Sequence, residues 1–105
     1  MIQAKILRRN GRTAGFSVSG HAGYADSGKD IVCAAVSSAV QLTANGITEV
    51  LHCPAEVSVE ENAVTLRTSG QPSRETEAFL DAFRLHMEVL AEEYPSFIQL
   101  RYMEV

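Results

Sequence analysis

The chain has 105 residues, of which 46% are hydrophobic and 21% are charged, and its formal net charge at pH 7 is −4. This length and composition predict one folded domain spanning residues 1–105, and they argue against disorder. The acidic balance, without a cluster of Lys and Arg, argues against direct nucleic-acid binding. No apolar run approaches the length of a membrane span, and the N-terminal residues lack the pattern of a signal peptide.

The predicted elements begin with a β-hairpin. Ile2–Arg9 and Arg12–Gly20 alternate as strands do, and Asn10-Gly11 between them is typical of a two-residue turn. In the second strand, the alternation predicts one face with Ala14, Phe16 and Val18 and the opposite face with Thr13, Ser17 and Ser19.

A glycine-containing loop, residues 20–29, leads from this hairpin to a long helix. Asp30 is a preferred N-cap, and its carboxylate is expected to accept from backbone N–H groups near Cys33. The apolar and small residues that follow predict a largely buried helix that runs to about Leu51. Cys33 therefore falls in the first helical turn.

A second hairpin, over residues 56–60 and 63–68, follows Pro54. Four apolar side chains of this hairpin are expected to face inward: Val57, Val59, Val64 and Leu66. Pro72 fits the first turn of a second, amphipathic helix, and residues 97–105 read as a last strand. The order ββαββαβ predicts a two-layer α+β fold with a mixed sheet and two helices.

The chemically reactive side chains lie on either side of the 20–29 loop. The partial positive charge at a helix N-terminus stabilises a thiolate, and a nearby imidazole can accept and return a proton. Cys33 is therefore a candidate nucleophile, and His21 is the candidate base and acid. The alternatives are a buried small side chain for Cys33 and a solvated loop residue for His21.

Neighbouring residues have two interpretations each. Asp30 is expected mainly to cap the helix, although it could also orient His21 as the third member of a triad. Ser37, one turn after Cys33, either bonds back to the Cys33 carbonyl or takes part in the site. Tyr24 is expected to pack rather than to act as an acid.

No metal or cofactor is expected. His21, Asp30 and Cys33 provide only three candidate ligands, and the sequence has no CxxC or HxxxH pattern. The second cysteine, Cys53, is predicted at the far end of the helix, roughly 30 Å from Cys33, which excludes a disulfide and disfavours thiol redox chemistry. Two reduced cysteines fit a cytoplasmic protein.

The segment from Gly20 to Ser37 resembles the ribosomal-processing cysteine protease family, called Prp. The resemblance is carried by Gly20-His21-Ala22 and by the string Gly28-Lys29-Asp30-Ile31-Val32-Cys33-Ala34-Ala35-Val36-Ser37. Asn45-Gly46-Ile47 and the chain length also agree. Within that family pattern, the catalytic histidine corresponds to His21 and the nucleophile to Cys33, while other recurrent positions correspond to Gly20, Asp30 and Ser37. His52, Cys53 and His86 match no functional position.

The resemblance implies a small bacterial enzyme that works as a homodimer. Its substrate would be the N-terminal extension of large-subunit ribosomal protein number twenty-seven. In the expected mechanism, the Cys33 thiolate attacks the scissile carbonyl and His21 protonates the leaving amine. Backbone N–H groups of the helix start and the loop would hold the oxyanion, and the loop would close over the peptide. The competing hypotheses are a non-catalytic ribosome-associated binding module and a thiol redox protein.

Overall fold

A computed structural model describes residues 1–26 and 28–105 of the chain. Within these residues the order is ββαββαβ, which confirms the predicted α+β fold. The bounds are β1 Ile2–Arg9, β2 Arg12–Ser19, α1 Ile31–Asn45, β3 Ala55–Glu60, β4 Ala63–Thr68, α2 Arg74–Glu93 and β5 Ile98–Glu104. A π-helical turn, Gly46–Val50, continues α1 almost to the predicted end of the first helix.

The strands form one mixed sheet in the order β3-β4-β2-β1-β5. β1 pairs in parallel with β5, whereas the other neighbouring strands are antiparallel. The β1–β2 turn is formed by Asn10 and Gly11, both at positive φ (54° and 77°), as a type I′ turn requires. The core lies between the sheet and the helices, where Phe16 of β2 stacks against Phe83 of α2 at a centroid distance of 4.4 Å.

A β-bulge makes the predicted face of Thr13 wrong. Leu7 pairs with Gly15 but Arg8 pairs with Thr13, so Ala14 is an extra residue in β2. The alternation shifts by one at that point. Thr13 is consequently buried on the side of the sheet that packs against α2, and its hydroxyl donates to Asp81 of α2 at 2.7 Å.

The second hairpin is only partly inward-facing, which corrects the prediction for β3. Leu66 is fully buried, but Val57 and Val59 are 43% and 74% exposed. β3 is an edge strand, and α2 packs on β2 and β5, so this edge of the sheet is left uncovered. Alternation alone does not reveal whether a strand is central or at an edge.

The second helix begins later than predicted. Ser73 is its N-cap, with Oγ accepting from the Thr76 N–H group at 3.2 Å, and the first helical residue is Arg74. Pro72 therefore precedes the cap and is not in the first turn. Near the end of the first helix, Gly46 allows close approach of α2, because a Cβ there would lie 2.5 Å from the Phe79 ring.

The segment Ile31–Val50 is long and apolar enough to cross a membrane by length and composition, although no membrane span was predicted from the sequence. In the structure, one face of this segment packs in the core through Val32, Val36, Val40 and Ile47. A helix packed on a sheet needs such an apolar face. Core packing therefore accounts for the apolar residues of that face, whereas Ile31, Leu42 and Val50 are exposed.

The tight contact between β2 and β4 yields a first prediction. A Cβ at Gly15 would lie 2.1 Å from the Leu66 carbonyl oxygen, and neither backbone can move independently of the sheet. We expect Gly15→Ala to lower the free energy of unfolding by about 3 kcal/mol or more, as an overpacked core does. Urea denaturation measures this as a lower midpoint.

Gly11→Ala is the matched control for Gly15→Ala. A Cβ at Gly11 meets no atom within 4 Å, and the cost there is the strain of φ +77° alone, about 1 kcal/mol. Equal midpoints for the two variants would contradict the close contact between β2 and β4.

Candidate active site

The site is built where β2 ends and the chain turns away from the sheet. Gly20 has φ +84°, and a Cβ there would lie 2.6 Å from the Met1 carbonyl oxygen, so both conformation and space require glycine. Its N–H group donates to the Asn62 carbonyl in the β3–β4 turn at 2.9 Å. The backbone that carries His21 is thus fixed to the sheet.

Asp30 caps α1 as predicted. Its Oδ1 accepts from the N–H groups of Val32 at 3.0 Å and Cys33 at 2.9 Å, and its Oδ2 accepts from the Tyr24 N–H group at 3.1 Å. The Cys33 N–H group is the main cause that lowers the pKa of Asp30 below its ordinary 3.8; partial burial opposes it, and the Tyr24 N–H group adds to it. One carboxylate therefore fixes both the helix start and the loop.

Cys33 is the third residue of α1, half-buried and free of any disulfide. Its sulfur accepts from the Ala22 N–H group at 3.2 Å. The N–H groups of Val32 and Cys33 are occupied by the Asp30 side chain, and that of Ala34 donates to the Asp30 carbonyl at 3.1 Å. These three helix-start donors are therefore engaged in the resting structure.

His21 is exposed, and its Nε2 lies 2.8 Å from Oδ1 of Asn62. Within the described residues, its ring has no hydrogen bond to Asp30 or to Cys33, so Asp30 does not orient it here. Asn62 is not among the site residues predicted from the sequence. The turn it lies in was predicted, but a partner 41 positions away becomes visible only once β2 and β4 are known to pair.

His21 and Cys33 meet in two cavities. The first, of about 290 Å³, has both residues in its lining together with Asn62 and apolar side chains of β2, α1 and β4. The second, of about 600 Å³, lies on the loop side and has Asp30 in its lining. Ser37 borders both cavities. A thiol and an imidazole thus face the same space from different elements.

Ser37 and Tyr24 have identifiable contacts. The Ser37 hydroxyl accepts from the Gln41 side chain at 3.0 Å, and within the described chain it makes no bond to the Cys33 carbonyl. The Tyr24 ring packs edge-on against Phe97 and Tyr94, at centroid distances of 5.2 and 5.9 Å, which confirms its packing role. The expected closure of the 20–29 loop involves Ser27, which lies outside the described residues.

The remaining candidate side chains lie elsewhere. His52 and Cys53 follow the π-helical turn, and His86 lines a groove between α1 and α2. None of the three borders the cavities of His21 and Cys33. Over residues 1–26 and 28–105, no three His, Cys, Asp or Glu side chains are grouped so that they could hold a metal ion.

Solved structures share this fold over nearly the whole chain. SMU.848 from Streptococcus mutans is 30% identical, with a TM-score of 0.86 over 100% of this chain and 96% of that one. The ribosomal processing protease Prp from S. aureus, in complex with a covalently linked product peptide, is 24% identical, with a TM-score of 0.90 over 97% of this chain and 99% of that one. The complex of that protease with a substrate peptide is 23% identical in sequence, with a TM-score of 0.85 over 97% of this chain and 99% of that one. No curated protein sequence matches this chain.

A half-buried thiol at a helix start, facing a cleft that it shares with a histidine, is typical of a cysteine hydrolase. The model of the family described as Cysteine protease Prp matches residues 1–99. The chain belongs to the cysteine protease Prp family, which confirms the resemblance found in the Gly20–Ser37 segment. It is accordingly a cysteine protease, rather than a non-catalytic binding module or a thiol redox protein.

The lowered pKa of Asp30 yields a second prediction. A carboxyl group whose pKa is lower when folded stabilises the fold above its unfolded pKa, and this stability is lost as the pH falls through the folded pKa. Asp30→Asn can still cap the helix but does not titrate. We expect the stability advantage of the wild type over Asp30→Asn to be complete at about pH 7 and to shrink below the ordinary pKa of 3.8.

Urea denaturation at a series of pH values measures that difference. Glu56→Gln is the control, since Glu56 is an exposed carboxylate of β3 without a hydrogen bond in the described part of the chain. An advantage over Asp30→Asn that stays constant down to about pH 3 would show that the charge of Asp30 does not stabilise the helix start.

Proposed function

We propose that this protein is a cysteine endopeptidase that removes the N-terminal extension of large-subunit ribosomal protein number twenty-seven during ribosome assembly. The observation that carries the proposal is the cleft shared by Cys33 and His21. The S. aureus protein with the same fold is described as a ribosomal processing protease, with a product peptide covalently linked in one structure. That description supports a peptide substrate and an enzyme-bound intermediate here.

In the proposed reaction, the Cys33 thiol gives its proton to His21, and the sulfur bonds to the scissile carbonyl carbon, whose C=O electrons move to the oxygen. As the tetrahedral intermediate collapses, the C–N bond breaks and His21 gives its proton to the leaving amine. His21 then takes a proton from water, whose oxygen replaces the sulfur, and the thiol is restored. The Ala22 N–H group donates to the Cys33 sulfur in the resting site and would turn to the oxyanion once the sulfur is bonded to carbon, whereas the Val32 and Cys33 N–H groups stay with the Asp30 carboxylate.

The lining of the smaller cavity is suited to binding an apolar side chain of the substrate near the scissile bond. Besides the two catalytic candidates, its lining has four polar side chains, those of Ser37, Glu60, Glu61 and Asn62, and a larger set of six aliphatic ones: Ile2, Val18, Val36, Val40, Ala63 and Val64. Its volume of about 290 Å³ can hold an aromatic or branched aliphatic side chain. Burial of such a side chain would bind the peptide next to the thiol and leave its backbone open to attack.

The first test of this function is a cleavage assay. We expect the purified protein to shorten the unprocessed ribosomal protein at its N-terminus, and Cys33→Ala to lose at least about 10³-fold in rate because no sulfur remains to form the acyl-enzyme. Mass spectrometry of the substrate measures the released peptide. Unchanged urea denaturation of Cys33→Ala confirms that the fold is intact.

Cys53→Ala is the matched control, since Cys53 borders neither cavity. It should retain wild-type cleavage, and alkylation should inactivate it as it inactivates the wild type. Full turnover by Cys33→Ala would contradict the mechanism. A wild-type protein that cleaves other peptides but not this ribosomal protein would contradict the proposed substrate.

We further propose a cytoplasmic homodimer of this one-domain chain. α1 has no charged residue, yet Ile31 and Leu42 are 55% and 71% exposed on it. An exposed apolar surface on an uncharged helix favours contact with another protein surface. Because a chain of this size buries a small fraction of its surface on folding, burying this apolar surface in a dimer would add to its stability. A second copy is the partner that is always available to it.

Sedimentation equilibrium measures the oligomeric state. We expect twice the mass of 11.4 kDa at micromolar concentration, and a shift toward the monomer in Leu42→Glu because a charge would be buried in the contact. Glu49→Gln, which alters an exposed charge beyond α1, should leave the mass unchanged. A wild-type monomer at all concentrations would overturn the homodimer.

A further inference from the structure

We infer that Asn62 is the positioning residue for His21: its side chain sets which ring nitrogen carries the proton and therefore which nitrogen can serve as the base. This inference rests on the proposed His21–Cys33 protease. Asn62 lies in the two-residue turn between β3 and β4 and borders the same cavity as His21 and Cys33.

The first step is the chemistry of the contact between Nε2 and Oδ1. An amide oxygen can only accept a hydrogen bond, so with Oδ1 of Asn62 toward the ring, Nε2 is assigned as the donor that carries the proton. In the neutral ring the lone pair is then on Nδ1. Asn62 thereby makes Nδ1 the nitrogen that is able to accept the thiol proton of Cys33.

The second step is that Asn62 also holds the backbone before His21. Its carbonyl oxygen accepts from the Gly20 N–H group at 2.9 Å, while its side chain bonds the His21 ring at 2.8 Å. The β3–β4 pairs Glu60–Ala63 and Val59–Val64 fix the turn itself. One residue of the sheet thus restrains both the main chain and the side chain of the candidate base.

The third step concerns the other residue that could orient the ring. Both oxygens of Asp30 accept backbone N–H groups, from Val32 and Cys33 on one side and from Tyr24 on the other. In the described part of the chain, Asn62 is the residue whose side chain bonds the His21 ring. His21 is exposed, so without that bond its ring would sample other rotamers and both tautomers.

The direct test is nitrogen NMR of labelled histidine in the resting protein, with the His21 signals assigned by their loss in His21→Gln. We expect neutral wild-type His21 to be protonated at Nε2, and Asn62→Ala to show a mixture of tautomers. Asn62 is not at positive φ, so alanine fits its backbone. A wild-type ring protonated at Nδ1, or a ring unchanged in Asn62→Ala, would overturn the inference whether or not the protein cleaves the ribosomal substrate.

The kinetic test uses peptide cleavage. A positioning role predicts that Asn62→Ala lowers kcat by about 10- to 100-fold with little change in KM, as loss of orienting groups does. Asn45→Ala, an exposed asparagine at the end of α1, is the matched control and should behave as wild type. A change in KM alone would assign Asn62 to substrate binding and contradict the positioning role.

Rescue by Asn62→Asp separates positioning from mere support of the fold. A carboxylate keeps the acceptor and adds a negative charge beside the ring, so it should restore most of kcat and move the alkaline limb of the pH–rate profile to higher pH. The charged and titratable groups that share the cavities with His21 are Glu60, Glu61, Asp30 and Cys33, and they are unchanged in this variant. If the alkaline limb of Asn62→Asp does not move, the result contradicts a contact between the side chain at position 62 and the His21 ring.

Discussion

The hydrogen bonds of the Asp30 carboxylate are the constraint on which the site depends. Three backbone N–H groups converge on its two oxygens, two from the first turn of α1 and one from the loop. The helix therefore starts at a defined residue, and Cys33 falls in its first turn. The same carboxylate draws Tyr24 toward the helix, which helps to bring the Ala22 N–H group against the Cys33 sulfur. Nucleophile and loop are thus positioned by one side chain.

The opposite wall of the cleft is positioned independently, from the sheet. Asn62 binds the backbone at Gly20 and the ring of His21, and its turn is fixed by the pairing of β3 with β4. The thiol is therefore held by a helix terminus and the imidazole by a strand turn. In the described residues, the Cys33 thiol and the His21 ring make no hydrogen bond to each other, and both line the open cavities between the two walls. A peptide can therefore enter between them.

The sequence predicted the features that are set by neighbouring residues. Asp30 as a helix cap and Asn10-Gly11 as a hairpin turn each follow from a few adjacent positions, and both were correct. It did not predict the bulge at Ala14 or the exposure of Val59, because these depend on strand register and on strand order in the sheet. The contact of His21 with Asn62 was not predicted for the same reason, since it joins segments that only the β2–β4 pairing brings together.

The charge of Asp30 favours a positively charged base beside the thiol, and in this site a neutral side chain, Asn62, orients that base. The backbone N–H groups that lower the pKa of Asp30 keep it ionised at neutral pH, with the Cys33 N–H group the strongest cause. A carboxylate so near opposes negative charge on the sulfur, and an imidazolium is needed to offset it. An amide partner such as Asn62 fixes the ring while leaving its positive charge available to the sulfur.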